Sequence, residues 1–507
     1  MSEKTGRGAL YLFHRSVGTV VAFVGVLVFY TGSLSVLQHE LDAWVLRDQP
    51  ARSIDGFSAE GLDQALALAL AEAPERDEGA AIFVATAPAE HLQVTFSLPD
   101  TDDRRFVMVD PAAGAVRSVQ EGTFVERMKA LQPRQSLERF LVQMHIRLLL
   151  DGNLGLWVTG LAALALLVLL GSGLVVAWPR RRHWVRRPRR SLRQRVGDIH
   201  VLIGVWSAPF AFVLSLTGAF FSFAGALLIP VMIMVAFEGD QERVQEVLRG
   251  DFEVQAAEGE ASFGALVMAA KARAGEGRSL ERLRLENWST DHRHVVIDYI
   301  DHESSVDSRR LAYDGQTGEF LRELPILGSQ PSGASTILSW ISALHFGNFM
   351  GLFGKALWLL AGLFTTLLAV SGYGLWAVRN ESRSPRLARL ARTLTGAAAG
   401  LPLATGAAIA AWAFAQGPNV WSAMTWAFFV SLALAGLAGA GRQWLKRVRS
   451  VLLLGALASA SVPFIGRFRM GEWASGDALV VDVFFVLFAF LLALGSARLP
   501  RLFPRTL

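Results

Sequence analysis

The stretch His14-Arg-Ser-Val-Gly18-Thr-Val-Val-Ala-Phe-Val-Gly25-Val-Leu-Val-Phe-Tyr-Thr31-Gly32 has a counterpart in His200-Val-Leu-Ile-Gly204, which runs on to Thr217-Gly218. Both read His-x3-Gly-x12-Thr-Gly. The match continues downstream. His145 and His345, Trp157 and Trp358, Ser172-Gly173 and Ser371-Gly372, and Trp178 and Trp376 follow at spacings that differ by one or two residues. Chance rarely matches so many landmarks, so the first 380 residues read as two copies of one unit. Each copy is an inside-out helix, an outside domain and an outside-in helix. Two copies running the same way place a pseudo-twofold axis along the membrane normal.

The membrane reading rests on length and composition. Val17–Leu37 has 21 residues and no formal charge, about 31 Å as a helix, enough to cross a bilayer. It is too long for a signal-peptide core and reads as an uncleaved anchor. Further spans are expected at Leu154–Trp178, Val201–Pro230 and Gly351–Val378, then at Gly396–Ala415, Trp421–Ala440, Val451–Ile465 and Leu479–Ala497, eight in all. Across 507 residues the chain is 52% hydrophobic and 18% charged, with a mean hydropathy of +0.36. Soluble domains carry about 25% charge, so a water-soluble enzyme is disfavoured.

Arginine placement sets the expected orientation. Pro179–Arg195 joins spans two and three and carries nine Arg and no acid. Arg379–Arg392, Arg442–Arg449 and Arg498–Arg505 are also basic. By the positive-inside rule these segments and both termini are cytoplasmic, which in a bacterium makes this a multi-pass inner-membrane protein. The excess Arg then reports topology, and no nucleic-acid partner is implied. The expected organisation is a first transmembrane helix (1–37), a first outside domain (38–135), helices two and three with the Arg-rich loop (136–237), a second outside domain (238–335), a fourth helix (336–380) and a four-helix C-terminal extension (381–507). The fold class is a polytopic α-helical membrane protein.

The outside domains match each other. Ser58–Ala73 and Ser262–Ala274 read as helices. Leu92–Ser97 and His294–Tyr299 alternate with period two, as strands do. Phe106–Gly114 and Leu311–Gly318 both look like a strand running into a tight turn. Each domain is expected to be one helix on a small antiparallel sheet.

There is no cysteine, which excludes disulfides, thiol catalysis, iron–sulfur clusters and covalent c-type heme. Ten histidines remain to be placed. His14 and His200 sit at the cytoplasmic ends of their helices, each on a face of small residues. That face alone reads as close helix packing, but it leaves an intramembrane histidine in both copies unexplained. His145 and His345 belong at the outer face. The four form two depth-matched pairs, which suit axially ligated heme in a helix bundle. His39 returns to the His14 face at the outer end and is an alternative outer ligand. His183 lies in the Arg-rich loop. His91, His292, His294 and His302 belong to the outside domains, where Asp291-His-Arg-His294 is at most a weak metal site. Gly351-Leu-Phe-Gly-Lys-Ala356 departs from a phosphate loop, and no Gly-x-Gly-x-x-Gly follows a strand. The last four spans contain no histidine. No catalytic residue is assigned.

Phe13-His14-Arg15 with Thr31-Gly32, Met144-His145 with Ser172-Gly173 and Trp178-Pro179, Asp198-Ile-His200 with Thr217-Gly218, and Leu344-His345 with Gly351 resemble the PepSY-associated transmembrane family over about residues 8–380. The outside domains resemble PepSY domains. Members include bacterial inner-membrane ferric-siderophore reductases. The resemblance implies two heme b groups, with iron ligation at His14 and His200 (inner) and His145 and His345 (outer). It also implies electron transfer to a ferric siderophore in the periplasm, with release of Fe(II). The chain departs from the family pattern in its four extra C-terminal spans. It also lacks the fused flavin reductase of some relatives, so the donor, a quinol or a cytoplasmic reductase, stays open. A non-redox PepSY scaffold or regulator, and a siderophore permease, are the rival readings. The polar residues sit at helix ends and not at the midplane, which disfavours transport.

Overall fold

The computed structural model describes residues 2–47, 57–87, 91–101, 103–123, 136–179, 192–224, 261–301, 303–325, 330–415 and 419–502, and three isolated positions between 227 and 259. The helices in chain order are α1 (Ser2–Ser35), α2 (Gln38–Val45), α3 (Ala59–Ala71), α4 (Ser136–Arg147), α5 (Leu154–Ala177), α6 (Leu192–Phe223), α7 (Phe263–Ala274), α8 (Gly333–Phe346), α9 (Gly351–Asn380), α10 (Pro385–Ala399), α11 (Leu401–Phe414), α12 (Val420–Gly439), α13 (Trp444–Met470) and α14 (Asp477–Leu502). The strands are β1 (Ile82–Ala87), β2 (His91–Ser97), β3 (Asp103–Asp110), β4 (Ala115–Thr123), β5 (Arg278–Glu286), β6 (His294–Asp301), β7 (Arg309–Asp314) and β8 (Phe320–Leu324). The chain divides into two compact units: residues 1–48, 133–230 and 355–507, and residues 49–132 and 231–354.

The first unit is helical. Among the described residues, seven helices are long and apolar enough to cross a membrane: Gly8–Ser35, Leu154–Ala177, Gln194–Phe223, Gly351–Asn380, Val420–Gly439, Trp444–Met470 and Asp477–Pro500. The span expected at Gly396–Ala415 is instead a broken one, with α10 and α11 meeting at a 48° bend. The cause is local. Pro402 lies in the first turn of α11 and has no N–H to continue the α10 ladder. Small residues then let the extension pack closely. A Cβ on Gly396 would sit 2.9 Å from Gly439 Cα, so α10 and α12 cross backbone to backbone.

The C-terminal extension shares one core with α1, α2 and α4. Fully buried Trp44 donates its indole N–H to Asp482 Oδ1 at 2.8 Å and packs on Trp412 at 5.6 Å between ring centroids. Tyr30 and Thr405 hydroxyls meet at 3.0 Å. Phe140 lies edge-on to both Trp421 and Phe428. A buried ion pair at 2.5 Å joins Lys355 Nζ to Glu40 Oε1. Isolated buried charges are costly, so such a pair holds only with both partners present.

The second unit is an antiparallel sheet with α3 and α7 on one face. The sequence leads one to expect two small sheets. The structure has one sheet of eight strands in the order β4-β3-β2-β1-β5-β6-β7-β8. The first strand of each half pairs with the other, Ile82 with Leu285 and Val84 with Leu283. These first strands would otherwise be exposed edges with unpaired backbone groups, and pairing them satisfies both. One apolar core results, with Leu62 and Leu66 of α3, Val267 of α7, and Val84, Leu283 and Ile297 of the sheet. The helix starts are as the sequence predicts: Ser58 accepts from Gly61 N and Ser262 from Ala265 N. The two tight turns also form, with Gly114 at φ +59° and Gly318 at φ +74°.

Candidate functional site

The first unit brings His14 of α1 and His200 of α6 together. Their ring centroids are 6.5 Å apart and their planes cross at 70°. Each ring is fixed by the same device. His14 Nδ1 lies 3.0 Å from Ser172 Oγ, and His200 Nδ1 lies 2.9 Å from Ser371 Oγ. Each serine hydroxyl donates its only proton backwards, Ser172 to Leu169 O at 3.1 Å and Ser371 to Leu368 O at 2.7 Å. Toward the imidazole the oxygen therefore accepts. Nδ1 carries the proton in both rings, and Nε2 is the lone-pair nitrogen.

The glycine after each serine makes room for the ring. A Cβ on Gly173 would sit 2.9 Å from His14 Cε1, and one on Gly372 would sit 3.6 Å from His200 Cε1. The recurring Ser-Gly dipeptide is thus the histidine's seat: an acceptor followed by a gap. The sequence showed it as a repeat landmark without its task.

His145 lies in the last turn of α4, and its Nδ1 donates to Val28 O at 2.8 Å. A Cβ on Gly32 would meet its ring at 2.6 Å, so Thr31-Gly32 supplies a second seat. His14 and Gly32 are 18 residues apart on α1, five full turns, so they share one face about 27 Å apart along the axis. The His14–His200 pair and His145 therefore lie about 27 Å apart along α1, His145 at its C-terminal end. Gly18 touches Leu169, and the small-residue face is ordinary helix contact there.

The remaining histidines are placed as follows. His345 belongs to the second unit, in the last turn of α8, edge-on to Phe346 at 5.3 Å. His39 on α2 lies 3.4 Å from Asp477. His91 lies 3.8 Å from Asp110, whose carboxyl is held low by the Arg117 hydrogen bond. His294 is buried in the sheet, and burial holds its imidazole below the ordinary range. His292 is exposed beside Asp291 at 3.5 Å. Among the described residues no group of three metal-ligating side chains forms, so the weak reading of Asp291–His294 gains no support. His183 and His302 lie outside the described residues.

Two imidazoles that share one axially bound metal at a bond length of about 2 Å have ring centroids about 6.3 Å apart. The 6.5 Å spacing of His14 and His200 fits that arrangement. A sequence profile for the PepSY-associated TM region matches residues 11–379. The chain belongs to the PepSY-associated TM region family. The family match takes in all four repeat histidines and ends within α9, so α10 onward lies outside it. No curated protein matches the chain.

Proposed function

We propose that this PepSY-associated protein is a heme-containing reductase of the bacterial inner membrane that passes electrons to a ferric siderophore in the periplasm. The observation that supports this reading is the His14–His200 pair, two imidazoles 6.5 Å apart whose Nδ1 atoms are each engaged by a serine, which leaves Nε2 of each ring as the nitrogen that would ligate a metal. His14 and His200 would hold the inner heme b. His145 is oriented in the same way by a backbone carbonyl, and the repeat assigns His345 as its partner for the outer heme. Bound heme supplies a one-electron Fe(III)/Fe(II) couple.

The chain's own residues do the rest. Ser172, Ser371 and the Val28 carbonyl hold the imidazoles in one tautomer, and outer partners of this kind raise ligand affinity and fix ring orientation. The apolar bundle excludes water. Hard oxygen donors hold ferric iron in the chelate, and reduction to Fe(II) weakens that grip and frees the metal. The electron donor would be a quinol or a cytoplasmic reductase.

The test mixes dithionite-reduced protein with a ferric hydroxamate or catecholate in the presence of an Fe(II) trap. The reading predicts reoxidation with trapped Fe(II), lost in His345→Ala. Intact heme that reacts with no ferric chelate would overturn the siderophore as substrate and favour another periplasmic acceptor, and a protein without heme would leave the scaffold reading in its place.

A further inference from the structure

The first three turns of α10 divide their surface three ways. Ala388, Ala391 and Thr395 face the bundle at 1%, 0% and 5% exposure. Arg386 and Arg389 project outward on one side. Leu387 and Leu390 project on the other, at 43% and 48% exposure. Residues 393–414 alone number 22, about 33 Å along the two helices of the bent pair, enough to complete a crossing. Pro385–Arg392 is therefore surplus to the span and has the makeup of a helix lying in the interface.

Its surroundings are basic. Gly396 meets Gly439 at the end of α12, and Ser496 of α14 bonds Arg449 O of α13 at 3.3 Å. These contacts bring Arg442, Lys446, Arg449 and Arg498, all exposed, to the same end of the bundle. Among the described residues of the extension the acid at this end is Glu381, 3.6 Å from Arg392. Topology alone asks for cations near the inner leaflet. It does not ask for arginines and leucines on separate flanks of one helix with alanines between them and the bundle.

We propose that Pro385–Arg392 and the basic rim beside it form a binding surface for anionic phospholipid, with the arginines on headgroup phosphate and the leucines in the acyl boundary. The partner follows from charge complementarity and from the leucine flank, which a soluble acidic protein would leave exposed.

Native mass spectrometry of the purified full-length chain tests this, with phosphatidylglycerol and phosphatidylcholine added in turn. Phosphatidylglycerol should be retained over phosphatidylcholine. The double substitution Arg386→Gln and Arg389→Gln should weaken that retention about 30-fold, from roughly five- to sixfold per lost cation at an anionic surface. Arg386→Lys with Arg389→Lys should keep it, and equal thermal unfolding of the variants shows that the fold is intact. Equal retention of the two lipids, or unchanged retention in the Gln variant, would overturn the proposal.

Discussion

Ser371 Oγ sits 2.9 Å from His200 Nδ1 while its own proton goes to the Leu368 carbonyl. Ser172 and His14 repeat the arrangement in the other half. The hydroxyl, with the Leu368 carbonyl beside it, favours the tautomer in which Nε2 keeps the lone pair. Ser371→Ala and Ser172→Ala should each lower heme affinity 10–100-fold, the usual effect of losing an outer partner of a ligating histidine. Ser371→Thr should retain most of it. Heme titration of the apoprotein, read by its absorption band, gives the comparison.

Gly173 and Gly372 are not equivalent. An added methyl would lie 2.9 Å from the His14 ring but 3.6 Å from the His200 ring. Gly173→Ala should displace the ring and deplete the inner heme, while Gly372→Ala should be tolerated. Heme-to-protein ratios of the two variants check the asymmetry.

Trp44 ties α2 to α14 through Asp482. Trp44→Phe keeps the ring but leaves a buried carboxyl without this donor, at a cost of about 1–3 kcal/mol. Thermal unfolding should fall in the variant. Asp482→Asn, which keeps an acceptor oxygen, should fall less.

Burial and the neighbouring Asp42 charge push the Glu138 carboxyl up to about 7. The folded state therefore holds this proton more tightly than the unfolded chain does. That contribution to stability is complete at acid pH below the ordinary glutamate value of 4.5 and is lost as pH rises through about 7. Glu138→Gln should raise the unfolding temperature at pH 8 and change it little at pH 4, relative to the unsubstituted protein.

The spans and the tandem repeat were legible because a bilayer demands long uncharged helices and because duplicated geometry repeats its landmarks. The helices and turns of the sheet unit were legible because Ser58, Ser262, Gly114 and Gly318 act locally. The pairing of β1 with β5 was not, since period-two patterning says which face a strand buries and not which edge it meets. The broken span at Gly400–Pro402 was masked by a continuous apolar run. The histidines stood out by scarcity, but the partners that orient them did not. Ser172 and Ser371 are 158 and 171 residues from the rings they hold, and nothing local marks them as acceptors. Glu40 with Lys355, and Trp44 with Asp482, were hidden for the same reason.

The most direct measurement is a pyridine hemochrome assay on protein purified from heme-replete cells, on the unsubstituted chain and on His14→Ala and His200→Ala. Two b-type hemes per chain are expected in the first, and one in each variant, with the same absorption component missing from both. A colourless unsubstituted protein, or variants that lose different components, would contradict a heme shared by His14 and His200.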